Sequence, residues 1–147
     1  MIVNQILDVT IEGEAASAKN QRRIVLIGGK PRLIKSAKAL AYAESFALQF
    51  PPCEISESDV VVWLDCWYAS RRPDLSAADL IHDLLQSRII KNDRQIKGST
   101  SLWNLDKEKP RVRIRVAEIT LPPGTTVGSQ GLSSFEPQRI WAPMMSG

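Results

Sequence analysis

From Ser58 to Tyr68 the side chains alternate so that Val60, Val62, Leu64 and Cys66 share one face and Val61, Trp63 and Trp67 the other, interrupted by Asp59 and Asp65. A strand that is mostly apolar on both faces must lie inside a sheet, paired on both edges and covered on both sides. This one run therefore demands further strands and at least one covering layer. A chain of 147 residues is long enough to supply them in a single domain.

The remaining elements can be read around that strand. Ile6 to Ile11 alternates weakly and reads as a strand, and Glu12 to Arg23 as a surface loop. Ile24–Ile27, Gly28-Gly29 and the stretch to Lys35 form a hairpin pattern, with glycines where the turn needs positive φ. Ser36 is placed to cap a helix that stops at Pro51-Pro52, with Leu40, Ala43, Phe46, Ala47 and Phe50 as its core positions. A second helix is expected over 76–87, with Ser76 as N-cap and Asp79 completing a capping box. Its apolar stripe is Leu80, Ile81, Leu84 and Leu85, leaving Asp79, His82, Asp83 and Gln86 on the other face. Arg94–Trp103 and Pro110–Ile119 are two more strands, the last with Arg111, Arg113 and Arg115 facing out, about 7 Å apart. Such a ladder suits a nucleic-acid backbone or an exposed sheet face. These elements predict an α+β domain over 1–120, a mixed sheet of about five or six strands with two helices. After it comes an irregular tail, 121–147, rich in Pro and Gly, with Phe135, Ile140 and Trp141 as anchors against the domain or a partner subunit.

Several functions are excluded or disfavoured. No apolar run approaches the ~20 residues that span a bilayer, and no basic-then-apolar leader opens the chain, which predicts a cytoplasmic protein with no membrane partner. Cys53 and Cys66 lack zinc spacing and read as packing residues. His82, the one histidine, sits on a polar helix face where hydrogen bonding or solvation is the ordinary role. The net charge of +3 is mild, but its distribution is not: between Glu14 and Glu44 there is no acid, while Lys19, Arg22, Arg23, Lys30, Arg32, Lys35 and Lys38 all fall there. A local cluster of this kind is either a solvated positive face or a phosphate-binding surface.

The chemistry concentrates between Ser70 and Gln95. Asp74 stands at a helix entrance after Arg71-Arg72-Pro73, Asp79 and Asp83 lie one turn apart, and Asp93 sits in Asn92-Asp93-Arg94-Gln95. Carboxylates at i and i+4 repel, and a divalent cation would turn that repulsion into coordination. Each acid also has an ordinary reading: Asp79 as a cap, Asp83 as a solvated surface group, Asp93 as a turn residue, and Asp65 as a surface or strand-end group rather than a further ligand.

Arg72-Pro73-Asp74-Leu75 opening a helix, then Asn92-Asp93-Arg94-Gln95, then a closing strand around Pro110–Ile114, resembles the RusA family of Holliday-junction resolvases, whose pattern is D-x-D-N-x-x-K followed by D-D-x-Q. The similarity runs from about Ile6 to Ile119. Ser76 and Ala77 stand where the family has aspartate and asparagine, and Leu80 or Asp79 where it has lysine. The resemblance implies a homodimeric endonuclease that cleaves four-way junctions or other branched DNA by Mg²⁺-dependent phosphodiester hydrolysis, in recombination and repair. On that reading Asp74 and Asp93, with Asp79 or Asp83, hold the metal; Arg71 or Arg72 offsets charge in place of the lysine, Arg72 being the catalytic candidate. Lys19, Arg22, Arg23, Lys30, Arg32, Lys35 and Arg71 would contact DNA. Ser76 in place of an acid motivates an alternative, a catalytically silent branched-DNA-binding protein; a third reading has the arginines bind an acidic protein.

Overall fold

The computed structural model describes residues 2–16, 22–35 and 37–120. Elements follow in the order β1 (Ile2–Glu12), β2 (Arg22–Ile27), β3 (Lys30–Lys35), α1 (Ala37–Gln49), β4 (Val60–Tyr68), α2 (Ala78–Leu85), β5 (Ile96–Leu105) and β6 (Arg111–Thr120). The expected tail, with Phe135, Ile140 and Trp141, lies outside the described residues, as does Ser36.

The architecture is α+β with a mixed sheet and two helices. The sheet has four strands, in the order β1-β6-β4-β5, rather than five or six; β2 and β3 form a separate two-stranded sheet. Six strands were legible, but a hairpin closed on itself by the Gly28-Gly29 turn (φ 59° and 78°) needs no partner from the larger sheet. β4 is interior, as its two apolar faces require: it pairs antiparallel with β6 and parallel with β5. Val60, Val61, Val62 and Leu64 are completely buried. The parallel step makes β4-α2-β5 a βαβ unit, and this unit carries the acids.

The helices cover one face of the sheet. Leu80, Ile81 and Leu85 are fully buried, with Leu84 close behind, so the α2 stripe is the one the sequence shows. In α1 the buried side differs in part from expectation. Phe46 is buried and Ala43 and Phe50 pack against the core as expected, but Ala39 and Tyr42 are buried while Leu40 and Ala47 are exposed. The helix is rich in alanine, so two overlapping 3–4 repeats exist in it, and the one carrying Tyr42 wins because it buries the larger side chain and packs it, tilted by 56°, against Phe46 at 6.3 Å between ring centroids.

The arginine ladder of β6 is the largest departure. Arg115, expected to face solvent, is 3% exposed. It lies opposite Trp63 in the β4–β6 register, with its guanidinium 3.7 Å from that ring's centroid, and Nη2 donates to Asp65 Oδ2 at 3.2 Å. Asp65 is accordingly neither a surface nor a strand-end group but the partner of a buried cation. Arg113 makes a two-pronged contact with Asp8, Nε to Oδ1 at 2.9 Å and Nη2 to Oδ2 at 2.8 Å. Arg111 sits 4.1 Å over Trp67 and pairs with Asp106 at 2.9 Å. All three charges are answered from within the chain, so this strand does not present the row of outward, unengaged arginines its spacing suggests. The acids that answer them belong to the loop before β6 and to β1 and β4, up to 105 residues away in sequence.

The Arg113 guanidinium holds the Asp8 carboxyl below its ordinary value of 3.8. A depressed folded-state pKa means the unfolded chain binds the proton more readily, so this contribution to stability is complete above the unfolded value and disappears as pH falls through the folded one. Urea midpoints measured from pH 7 downward should therefore fall below pH ~4 more gently in Asp8→Asn than in the wild type. Identical acid limbs for the two proteins would show that the pair does not couple folding to pH.

Candidate active site

The approach to α2 is set by a turn rather than a cap. Helical structure begins at Ala78, the N-cap position is Ala77, and no side chain caps it. Ser76 instead donates its N–H to Asp74 Oδ1 at 2.9 Å, an Asx turn that aims the chain into the helix. The capping box expected of Ser76 and Asp79 does not form, because Ser76 lies one residue too early. Asp79 is thereby left exposed on the polar face of α2 with no capping role.

At the other end of the βαβ unit the Asn92–Gln95 segment forms one 3-10 turn, and here a reciprocal box is present. Asn92 Oδ1 accepts the N–H of Arg94 at 2.8 Å, and Gln95 Oε1 accepts those of Lys91 and Asn92 at 2.8 and 3.0 Å. Gln95 Nε2 also donates to the carbonyls of Ser56 and Ser58, at 2.7 and 2.8 Å, tying the turn to the segment that leads into β4. Asn92 and Gln95 are thus positioning groups. Between them Asp93 is exposed, and no hydrogen bond or ion pair among the described residues engages its carboxylate.

These two ends frame an open cleft of about 460 Å³. Asp79, His82 and Asp83 line it from α2, Asp93 from the 3-10 turn, and Ile96, Lys97, Gly98 and Ser99 from the start of β5. His82 and Ser99 share a hydrogen bond of 2.9 Å between Nε2 and Oγ. Burial pushes the imidazole below its ordinary pKa, while the carboxylates of Asp79, Asp83 and Asp93 pull it back up. The histidine thus lies within the field of all three acids. Asp83 also accepts a long contact of 3.4 Å from Gln86 Nε2.

Three of the four acids singled out in the sequence therefore face one cleft. Asp74 is not among its lining residues. Its end of the unit is fastened to β5 by Trp103, whose Nε1 donates to the Pro73 carbonyl at 2.9 Å, and about 13 Å of strand separates Trp103 from Ser99. Arg71 and Arg72 are exposed in the same loop as Asp74 and do not line the cleft either. The cation that does is Lys97, which sequence reading missed, together with Ser99. The only sequence signal for them was position: they follow Asn92–Gln95 directly and begin the strand parallel to β4. Among the basic residues of the acid-free stretch, Arg22, Arg23, Arg32 and Lys35 lie on the β2–β3 strands, Lys30 opens β3 and is exposed, and Lys19 lies outside the described residues.

Cys66 lies in the core cluster and Cys53 packs against it, as packing residues would. Both are unpaired thiols, and burial raises the Cys66 thiol to about 11, which keeps it protonated and unreactive at neutral pH. Among the described residues no helix is long and apolar enough to cross a membrane.

No protein-family model and no curated protein sequence matches this chain. The resemblance to the RusA family rests on the order and spacing of the motifs.

The donor set of the cleft suits a hard divalent cation. Three carboxylates offer oxygen ligands from two elements, and Mg²⁺ binds through one or two carboxylates while keeping several waters. Among the described residues no three His, Cys, Asp or Glu side chains are already gathered around a common ion position. A site with two carboxylate ligands and retained waters needs no such closed cage.

Proposed function

We propose that this chain is a RusA-like endonuclease that cleaves four-way junctions or other branched DNA by Mg²⁺-dependent phosphodiester hydrolysis. The observation that carries the reading is the convergence of Asp79, Asp83 and Asp93 on one open cleft beside His82 and Lys97. Bound there, Mg²⁺ would polarise a phosphate oxygen and lower the pKa of a coordinated water. Asp93 and one or both helix acids hold the metal, the Asn92–Gln95 box keeps Asp93 in place, and Lys97 offsets charge on the phosphate. Asp74 shapes the helix entrance through its bond to Ser76, and Arg71 and Arg72, exposed at that entrance, contact the DNA backbone. A twofold homodimer would supply one cleft for each of the two related cuts a junction needs. The cytoplasm is the compartment in which it would act.

The silent-binder reading is favoured by one observation: Asp74, the family's first acid, is engaged in a turn outside the cleft lining, and Ser76 supplies no second carboxylate. One experiment separates the readings. A labelled four-way junction and a matched linear duplex are incubated with the protein in Mg²⁺ and in EDTA. Junction cutting in Mg²⁺ alone is the expected result. Tight, salt-dependent junction binding without cutting would replace the nuclease by the binder, and absence of junction preference would reject both.

A further inference from the structure

The β2–β3 hairpin carries an anomaly that the cleft does not use. Leu26, at the distal end of β2, is 76% exposed beside the Gly28-Gly29 turn and the exposed Lys30. A single exposed leucine is commonplace on a protein surface. Its surroundings are not. The hairpin is a sheet of its own, and its two strands hold Arg22, Arg23, Lys30, Arg32 and Lys35 with no acid among them. The register sets Arg22 against Lys35 at the base and Ile27 against Lys30 at the turn, so basic residues occur along the ribbon's whole length. Like charges set directly opposite each other, as Arg22 and Lys35 are, weaken a two-stranded ribbon, and a polyanion bound along it would answer them.

A two-stranded ribbon is one of the shapes a nucleic-acid groove admits, and an apolar side chain at such a tip is the usual wedge that parts stacked bases. Unstacking is costly in continuous duplex and least so where stacking is already interrupted. We propose that Leu26 is a wedge that inserts between bases at the branch point of branched DNA while the basic strands of the hairpin hold the flanking phosphates. This inference rests on the proposed branched-DNA substrate and adds to it a residue that discriminates branch from duplex. Leu26 touches no reacting atom; its role is specificity.

The test uses the full chain in EDTA, so that nothing is cut. Binding is followed by anisotropy on a four-way junction carrying 2-aminopurine at the branch and on a matched linear duplex. The wild type should raise 2-aminopurine emission on the junction. Leu26→Ala should lose that rise and bind the junction about tenfold more weakly, with duplex binding and salt slope unchanged. Leu26→Met should restore both signals. Lys30→Ala should do the opposite of Leu26→Ala, lowering the salt slope by about one while keeping the emission rise. Because Leu26 is so exposed, its thermal midpoint should stay with the wild type. Wild-type emission from Leu26→Ala, or equal losses on junction and duplex, would overturn the wedge. A wild type that cuts junctions in Mg²⁺ yet leaves 2-aminopurine stacked would overturn the wedge alone, while one that binds no junction would overturn it together with the substrate.

Discussion

Asp93→Asn is expected to lower Mg²⁺-dependent junction cutting on the order of a thousandfold, with junction binding retained or tightened. The substitution keeps the shape of the side chain and its capacity for hydrogen bonds but removes the charge a hard cation requires. The turn around it should survive, because the box that builds the turn is made by Asn92 and Gln95 and not by Asp93. One negative charge fewer in the cleft also lessens repulsion of DNA phosphates, hence the unchanged or improved binding. Asp83→Asn should act in the same direction, and by removing one of two repelling helix acids it should leave stability the same or slightly higher. Asp74→Asn is the informative contrast. Its carboxylate serves the Ser76 N–H, which an asparagine oxygen can also accept, so it should cut at a rate nearer the wild type than Asp93→Asn does. A wild type that cuts and an Asp93→Asn variant that cuts equally well would remove Asp93 from the active site; the reverse order for Asp74 and Asp93 would move the metal to the helix entrance.

The second large effect concerns folding. Asp65→Ala should destabilise the chain by about 3–5 kcal/mol, because it leaves the Arg115 guanidinium buried without its carboxylate. Arg115 and Asp65 side chains are 4% and 14% exposed, so little solvent screening softens the loss. Burial already pushes the guanidinium pKa down and Asp65 pulls it back, which shows in which direction the balance tips once Asp65 is gone. The double variant Asp65→Leu with Arg115→Met should recover most of the loss, since an apolar pair of similar volume carries no desolvation penalty and Met can still lie on Trp63. Urea unfolding of the two singles and the double gives the coupling directly. A cost below ~1 kcal/mol for Asp65→Ala would mean that the pair behaves as a solvated surface bridge.

Fold and site were legible to different depths. The central position of β4 could be read from its own alternation, because a face that is apolar at every second residue has to be covered whichever strand lies beside it. The Gly28-Gly29 hairpin and the apolar stripe of α2 were legible for the same reason: turn chemistry and a helical period are carried by neighbouring residues. So was the pairing of Asp79 with Asp83, since i and i+4 on a helix share a face by geometry alone, whereas Asp93 stood out only through the resemblance of its motif. The α1 register was not, because alanines satisfy two repeats equally and only the space under the helix selects Tyr42.

Tertiary structure alone decided what the charges do. Arg111, Arg113 and Arg115 have one spacing and one sequence context, yet their fates depend on Asp106, Asp8 and Asp65, and on two tryptophans that face them across strand pairings. Likewise Asp74 reads as the acid at the helix entrance and Asp79 as a capping-box partner or a ligand. One is used by a turn and the other faces the cleft, because the helix begins one residue later than its polar residues suggest. Periodicity is a property of adjacent residues and survives in the sequence. Whether a charge is answered or left for a ligand depends on the distance to groups far along the chain, and that distance exists only once the sheet has formed.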